Sequence, residues 1–109
     1  MESCSRIYAN TPPIEHPVVR IHPEIGRKPL FVNRPFTQTL KGLKPVEADY
    51  ILRMLCEFAE HPNFQLRRLW KPFDVAMWDN CCTMHFATSN FSGPRSMNRV
   101  TVLGDRPFH

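Results

Sequence analysis

An imidazole at position 85 is followed, ten and fourteen residues on, by guanidinium groups at positions 95 and 99. The stretch Trp78-Asp79-Asn80-Cys81-Cys82-Thr83-Met84-His85 reads as the end of a strand, a turn, and a histidine delivered into the next strand. Arg95 and Arg99 stand at i and i+4 of an expected strand, so period-two alternation puts both on one face, about 13 Å apart at roughly 3.3 Å per residue. Neutral imidazole ligates first-row metals, and a guanidinium fork matches a carboxylate or sulfonate through paired charge-assisted hydrogen bonds. Against this stands a plainer reading, because a lone histidine is more often a hydrogen-bonded structural group and two spaced arginines a solvated strand edge.

Other candidates are weaker. His22-Pro23-Glu24 is the one His-x-carboxylate triplet, yet Pro23 followed closely by Gly26 suits a turn better than a ligand pair. Cys81, Cys82 and His85 lack the spacing of closed zinc sites and supply too few ligands. His16, His61 and His109 read as loop or terminal residues. The cysteines at 4, 56, 81 and 82 form no CxxC, and a bond between adjacent Cys81 and Cys82 would close a strained ring, so all four are expected as free thiols.

The elements that must position these groups are short. At 109 residues the chain holds one domain at most. With 42% hydrophobic and 22% charged residues it has the composition of a folded chain, and no apolar run approaches the roughly 18 residues of a membrane-spanning helix. The start, Met1 to Arg6, lacks the pattern of a secretory signal, so a cytoplasmic location with no membrane association is expected. A net charge of +4 from scattered residues permits an anionic ligand but not the clustered basic stripe of a nucleic-acid binder. Eleven prolines against four glycines limit how far any helix or strand can run.

Residues 1–16 read as an extended lead-in. Val18 to Ile21 and Leu30 to Val32 are β-type runs around a reversing segment, His22 to Lys28, which predicts a hairpin. From Pro45 to about Glu60, Ala48, Ile51, Leu52, Leu55, Phe58 and Ala59 recur at helical spacing. Pro45 fits the first turn, Glu47 and Asp49 the positive end of the dipole, and Lys44 is a poor cap. Segments 64–70, 74–78, 84–87 and 99–103 are strand-length, so the expected fold is mainly β with one helix.

Several ordered blocks carry a resemblance that spacing alone does not. They are Glu15 to Glu24, Gly26-Arg27-Lys28, Leu30 to Asn33, Phe36-Thr37, Phe64 to Arg67, Trp78-Asp79-Asn80, Thr83-Met84-His85, Arg95 to Arg99, and Gly104 to Phe108. With them the chain resembles the C-terminal part of the taurine dioxygenase (TauD/TfdA) family of iron(II)- and 2-oxoglutarate-dependent oxygenases. The resemblance implies that residues 17–109 are the C-terminal portion of a double-stranded β-helix, or jelly roll. It implies that His85 is the second iron-ligating histidine, that Arg95 pairs with the distal carboxylate of 2-oxoglutarate, that Arg99 faces the substrate sulfonate, and that Phe36 forms an aromatic wall of the substrate pocket. In that family 2-oxoglutarate is oxidatively decarboxylated at iron, and a ferryl species hydroxylates the carbon beside the sulfonate, releasing sulfite. Fe(II), 2-oxoglutarate and a small anionic substrate, taurine or a related sulfonate, are the implied ligands.

The sequence also departs from the family. Cys81 stands where members commonly have arginine, Pro35 replaces a usual glycine, and Lys44 a usual cap. The family's His-x-Asp/Glu iron pair lies upstream of the matched region, and this chain is expected to begin after it. Two readings follow: a working half-site, or a catalytically inactive remnant acting at most in anion binding or association. Jelly-roll strands without their neighbours leave open edges and an apolar face, which favours homo-oligomers or association with a full-length relative.

Overall fold

A computed structural model describes residues 12–89 and 91–109, so the lead-in expected over residues 1–16 lies outside the description as far as residue 11. The single α-helix, α1, spans Pro45–Ala59. Proline occupies its first turn, where a missing N–H costs no hydrogen bond. Lys44 has no side-chain acceptor to offer, and the Glu47 carboxylate compensates in part by accepting the Lys44 backbone N–H at 3.1 Å. At the other end the Glu60 N–H reaches the Cys56 carbonyl at 2.9 Å, and Pro62 begins a short 3-10 turn, Pro62–Phe64.

The helix buries Ala48 and Cys56, with Leu52, Leu55 and Ala59 half-buried beside them. Ile51 and Phe58, expected on the same stripe, are exposed. Leu52 and Cys56 line a concavity together with Arg34, Thr37 and Gln38 of the segment before the helix. There Arg34 clamps Glu60 with Nε to Oε1 at 3.1 Å and Nη2 to Oε2 at 2.9 Å.

The expected hairpin exists in rudimentary form. Val19 and Leu30 make an antiparallel bridge, with the Phe31 N–H donating to the Val18 carbonyl at 2.6 Å and the Arg20 N–H to the Pro29 carbonyl at 3.3 Å. Pro29 has no N–H to return that second bond, and pairing resumes past it with the His22 N–H donating to the Arg27 carbonyl at 2.8 Å. Beyond it the chain reverses through Gly26, whose φ of 66° is the left-handed conformation that glycine adopts freely. Ile21 then donates to the Phe108 carbonyl at 2.8 Å, tying the end of the chain to the hairpin.

The expectation of a mainly β chain is not met. Among the described residues the helix, the 3-10 turn and the isolated bridge are the whole of the regular structure. The segments read as strands, 64–70, 74–78, 84–87 and 99–103, form no ladder, and the described residues do not confirm the expected jelly roll. A strand is stabilised only by its neighbours, and these segments find none in one another. Their side chains show the consequence. Leu66, Met77, Phe86, Val100, Val102 and Leu103 are nearly fully exposed, and among the described residues the buried apolar ones are only Val32, Ala48 and Cys56. The radius of gyration is 16.2 Å, against roughly 13 Å for a compact chain of this length.

Candidate functional site

The turn that leads to His85 is built by Asp79. Its Oδ1 accepts the Cys81 N–H at 2.7 Å, its carbonyl accepts the Thr83 N–H at 3.1 Å, and the Thr83 hydroxyl donates to the same carbonyl. Trp78 Nε1 donates to Asn80 Oδ1 at 3.0 Å across the turn. The reversal brings the His85 ring against the Trp78 indole, centroids 4.9 Å apart and tilted by 47°. His85 is exposed, as are Arg95 and Arg99. The Arg95 guanidinium lies over the Phe91 ring, 4.7 Å from its centre. Phe36, 56% exposed, rides on a turn closed by the Thr37 N–H to the Asn33 carbonyl at 2.8 Å and the Asn33 N–H to Thr37 Oγ1 at 2.9 Å.

No hydrogen bond, ion pair or ring contact among the described residues joins His85, Arg95 and Arg99. Concavities of about 570 Å³ beside the helix and about 270 Å³ beside the hairpin turn are lined by other residues.

What the fold does assemble is a different constellation. His22 is buried, and its Nε2 lies 2.8 Å from Asp79 Oδ2 across 57 residues of sequence. Its Nδ1 lies 3.2 Å from the Glu24 backbone nitrogen. An N–H can only donate, so Nδ1 is the acceptor and the ring proton sits on Nε2, donating to Asp79. Both ring nitrogens are therefore engaged, and His22-Pro23-Glu24 serves as the turn that the proline and glycine suggested.

The Asp79 carboxyl is held below the usual carboxylate range by the Cys81 N–H first and by His22 second. Burial pushes the Cys81 thiol up, and its contact with Asp79 adds to this. Cys56, Cys81 and Cys82 are free thiols, and Cys4, also expected as one, lies outside the described residues. Arg20, also buried, lies with its guanidinium 5.0 Å from the centre of the Phe31 ring, and its Nε and Nη2 have no hydrogen-bond partner. The sequence singled out neither the His22–Asp79 pairing nor the burial of Arg20. The only available signal was that Trp78-Asp79-Asn80 supplied a carboxylate at a turn.

The sequence model of the taurine catabolism dioxygenase TauD, TfdA family matches residues 7–101. The chain belongs to this family. Among curated TauD/TfdA-type relatives, it is 37% identical over 95 residues to an alpha-ketoglutarate-dependent sulfonate dioxygenase of Saccharomyces cerevisiae, a match covering 84% of this chain and 23% of that protein. It is 38% identical over 90 residues to an (S)-phenoxypropionate/alpha-ketoglutarate-dioxygenase of Sphingobium herbicidovorans, covering 82% and 31%. It is 34% identical over 94 residues to an alpha-ketoglutarate-dependent sulfate ester dioxygenase of Pseudomonas putida, covering 85% and 31%. The chain thus spans about a quarter to a third of the length of these relatives.

Family membership implies iron, and the residues at hand do not by themselves fit it. A facial triad needs two imidazoles and a carboxylate on one metal. Among the described residues the one group of three metal-binding side chains within reach of each other is His22, Asp79 and Cys82, and it does not include His85. No helix among the described residues is long and apolar enough to cross a membrane.

Proposed function

We propose that this chain supplies one half of an iron(II)- and 2-oxoglutarate-dependent dioxygenase centre that acts on a small organic acid anion, a sulfonate or sulfate ester in the first instance. The observation that carries this reading is the family match over residues 7–101, which takes in the segments bearing Phe36, His85, Arg95 and Arg99. In this reading His85 is one metal ligand, Arg95 grips the far carboxylate of 2-oxoglutarate, Arg99 receives the substrate anion, and Phe36 walls the pocket. The names of the yeast and Pseudomonas relatives favour a sulfonate or sulfate ester, and the Sphingobium relative extends the range to an aryloxy acid.

The chemistry of the side chains suits those tasks. A planar guanidinium makes paired bonds to carboxylate or sulfonate and keeps its charge at any working pH. Arg95 resting on Phe91 and His85 on Trp78 each have part of their rotamer freedom removed in advance. The other imidazole and the carboxylate must come from additional polypeptide, in the same chain or a separate one. That polypeptide would also supply strands to the apolar segments after residue 64.

A second reading, an inactive remnant, is favoured by the absence of His85 from the one group of three metal-binding side chains among the described residues. Succinate formation from 2-oxoglutarate with Fe(II) and a panel of sulfonates and sulfate esters separates the two. It is measured for the chain alone and after co-expression with the upstream portion of the yeast relative. The half-site reading predicts no turnover alone and turnover on complementation, abolished by His85→Ala. Complementation without turnover, in a stable complex, supports the remnant.

A further inference from the structure

We propose that His22, Asp79 and Cys82 form a binding site for one zinc-type divalent cation, separate from the position of His85. The three residues come from two segments, the hairpin turn and the Asp79 turn, and no short motif joins them. Their ligand atoms nevertheless lie within 4.8 Å of one another, with His22 Nε2 and Asp79 Oδ2 already at 2.8 Å. Donors bound to one tetrahedral zinc at about 2.0–2.3 Å stand roughly 3.5 Å apart, so modest side-chain rotation completes the arrangement.

The site has an entrance. His22 and Cys82 both line the concavity of about 270 Å³ beside the hairpin turn, together with Arg27 and Lys28. A fourth coordination position would face that space, and the two cationic residues on its wall would favour an anion or water there. One imidazole nitrogen, one carboxylate oxygen and one thiolate sulfur make a donor set that suits zinc or cobalt and not magnesium or calcium.

In the metal-free chain the Nε2 proton is donated to Asp79, while Nδ1 accepts from the Glu24 N–H at 3.2 Å, the long end of the hydrogen-bond range. Cation binding takes Nε2, moves that proton through solvent to Nδ1, and gives up the weak Glu24 contact. The Cys82 thiol loses its proton to solvent, so one proton is released per cation bound. The carboxylate and the thiolate together neutralise the two positive charges.

Cobalt(II) titration of the 109-residue chain tests the proposal, because thiolate ligation gives a charge-transfer band in the near ultraviolet. The expected result is a one-to-one band that zinc displaces. Cys82→Ser, at an exposed residue, should abolish the band and weaken zinc binding by more than the roughly tenfold that loss of a supporting group outside the ligand set costs. Cys81→Ser and His85→Ala should both retain it. Absence of a band in the parent chain, its survival in Cys82→Ser, or its loss in Cys81→Ser or His85→Ala would each overturn the assignment.

Discussion

The buried ring of His22 donates from Nε2 to Asp79 Oδ2 at 2.8 Å, pinning the hairpin turn to the turn that carries His85. The same Asp79 organises its own turn through Cys81 and Thr83, so the position of His85 depends on a residue far upstream of it.

His22→Ala should therefore loosen both turns. Removing a buried, doubly hydrogen-bonded side chain is expected to cost about 1–3 kcal/mol, read as a shift of the urea midpoint. Quenching of Trp78 fluorescence by iodide should rise in the same variant, since Trp78 adjoins Asp79. An unchanged midpoint would mean that the pairing adds nothing to stability.

The acid limb of stability should report the carboxylates. Asp79, Asp74 and Glu60 are all held below the ordinary range, by the Cys81 N–H, the Lys71 N–H and the Arg34 guanidinium respectively. A depressed folded-state pKa contributes stability that is fully present above the unfolded value, about 4, and is lost as pH falls through the folded value. Helical circular dichroism followed against pH should decline below about 4. Glu60→Gln should flatten that decline at the helix end, and because Arg34 and Glu60 are both solvent-accessible the effect should shrink in high salt.

Phe73 sits in the left-handed region at φ 69°, in a turn closed by the Asp74 N–H to the Lys71 carbonyl at 3.1 Å, and its side chain is fully exposed. An L side chain there costs about 1 kcal/mol or more that glycine does not. Phe73→Gly should leave thermal stability unchanged or raise it, where an ordinary Phe→Gly change would lower it. A clear fall in midpoint would show that the ring has a packing role.

The exposed apolar side chains after residue 64 should make the isolated chain self-associate. Sedimentation velocity is expected to show oligomers whose proportion falls in the double variant Val100→Lys, Val102→Lys. Both positions are nearly fully exposed, so charge there disturbs little in the monomer. A parent chain that sediments as a monomer at high concentration would contradict this.

How much of this was legible in the sequence depended on the range of the interactions. The helix was readable to within a residue because Pro45, the spacing of Ala48, Leu52 and Ala59, and His61-Pro62 all act within a few turns of chain. The hairpin was readable from its turn, but not the gap that Pro29 leaves in its ladder. Segments such as 84–87 and 99–103 have strand composition and find no strand partner among the described residues, so the β reading made from local propensity is not confirmed there. The His22–Asp79 pair was invisible because each residue had a sufficient local explanation, one as part of a turn and the other within Trp78-Asp79-Asn80. The candidate residues His85, Arg95 and Arg99 stood out by residue type and spacing and took their roles from the family resemblance, and among the described residues no hydrogen bond, ion pair or ring contact joins them.

The most direct test of the central claim is the visible charge-transfer absorption of Fe(II) chelated by 2-oxoglutarate, recorded anaerobically on the chain assembled with the upstream portion of the yeast relative. The half-site account predicts the band in the assembly and not in either part alone, its disappearance in His85→Ala, and a weaker affinity for 2-oxoglutarate in Arg95→Ala. A band of undiminished intensity in the His85→Ala assembly would contradict the account.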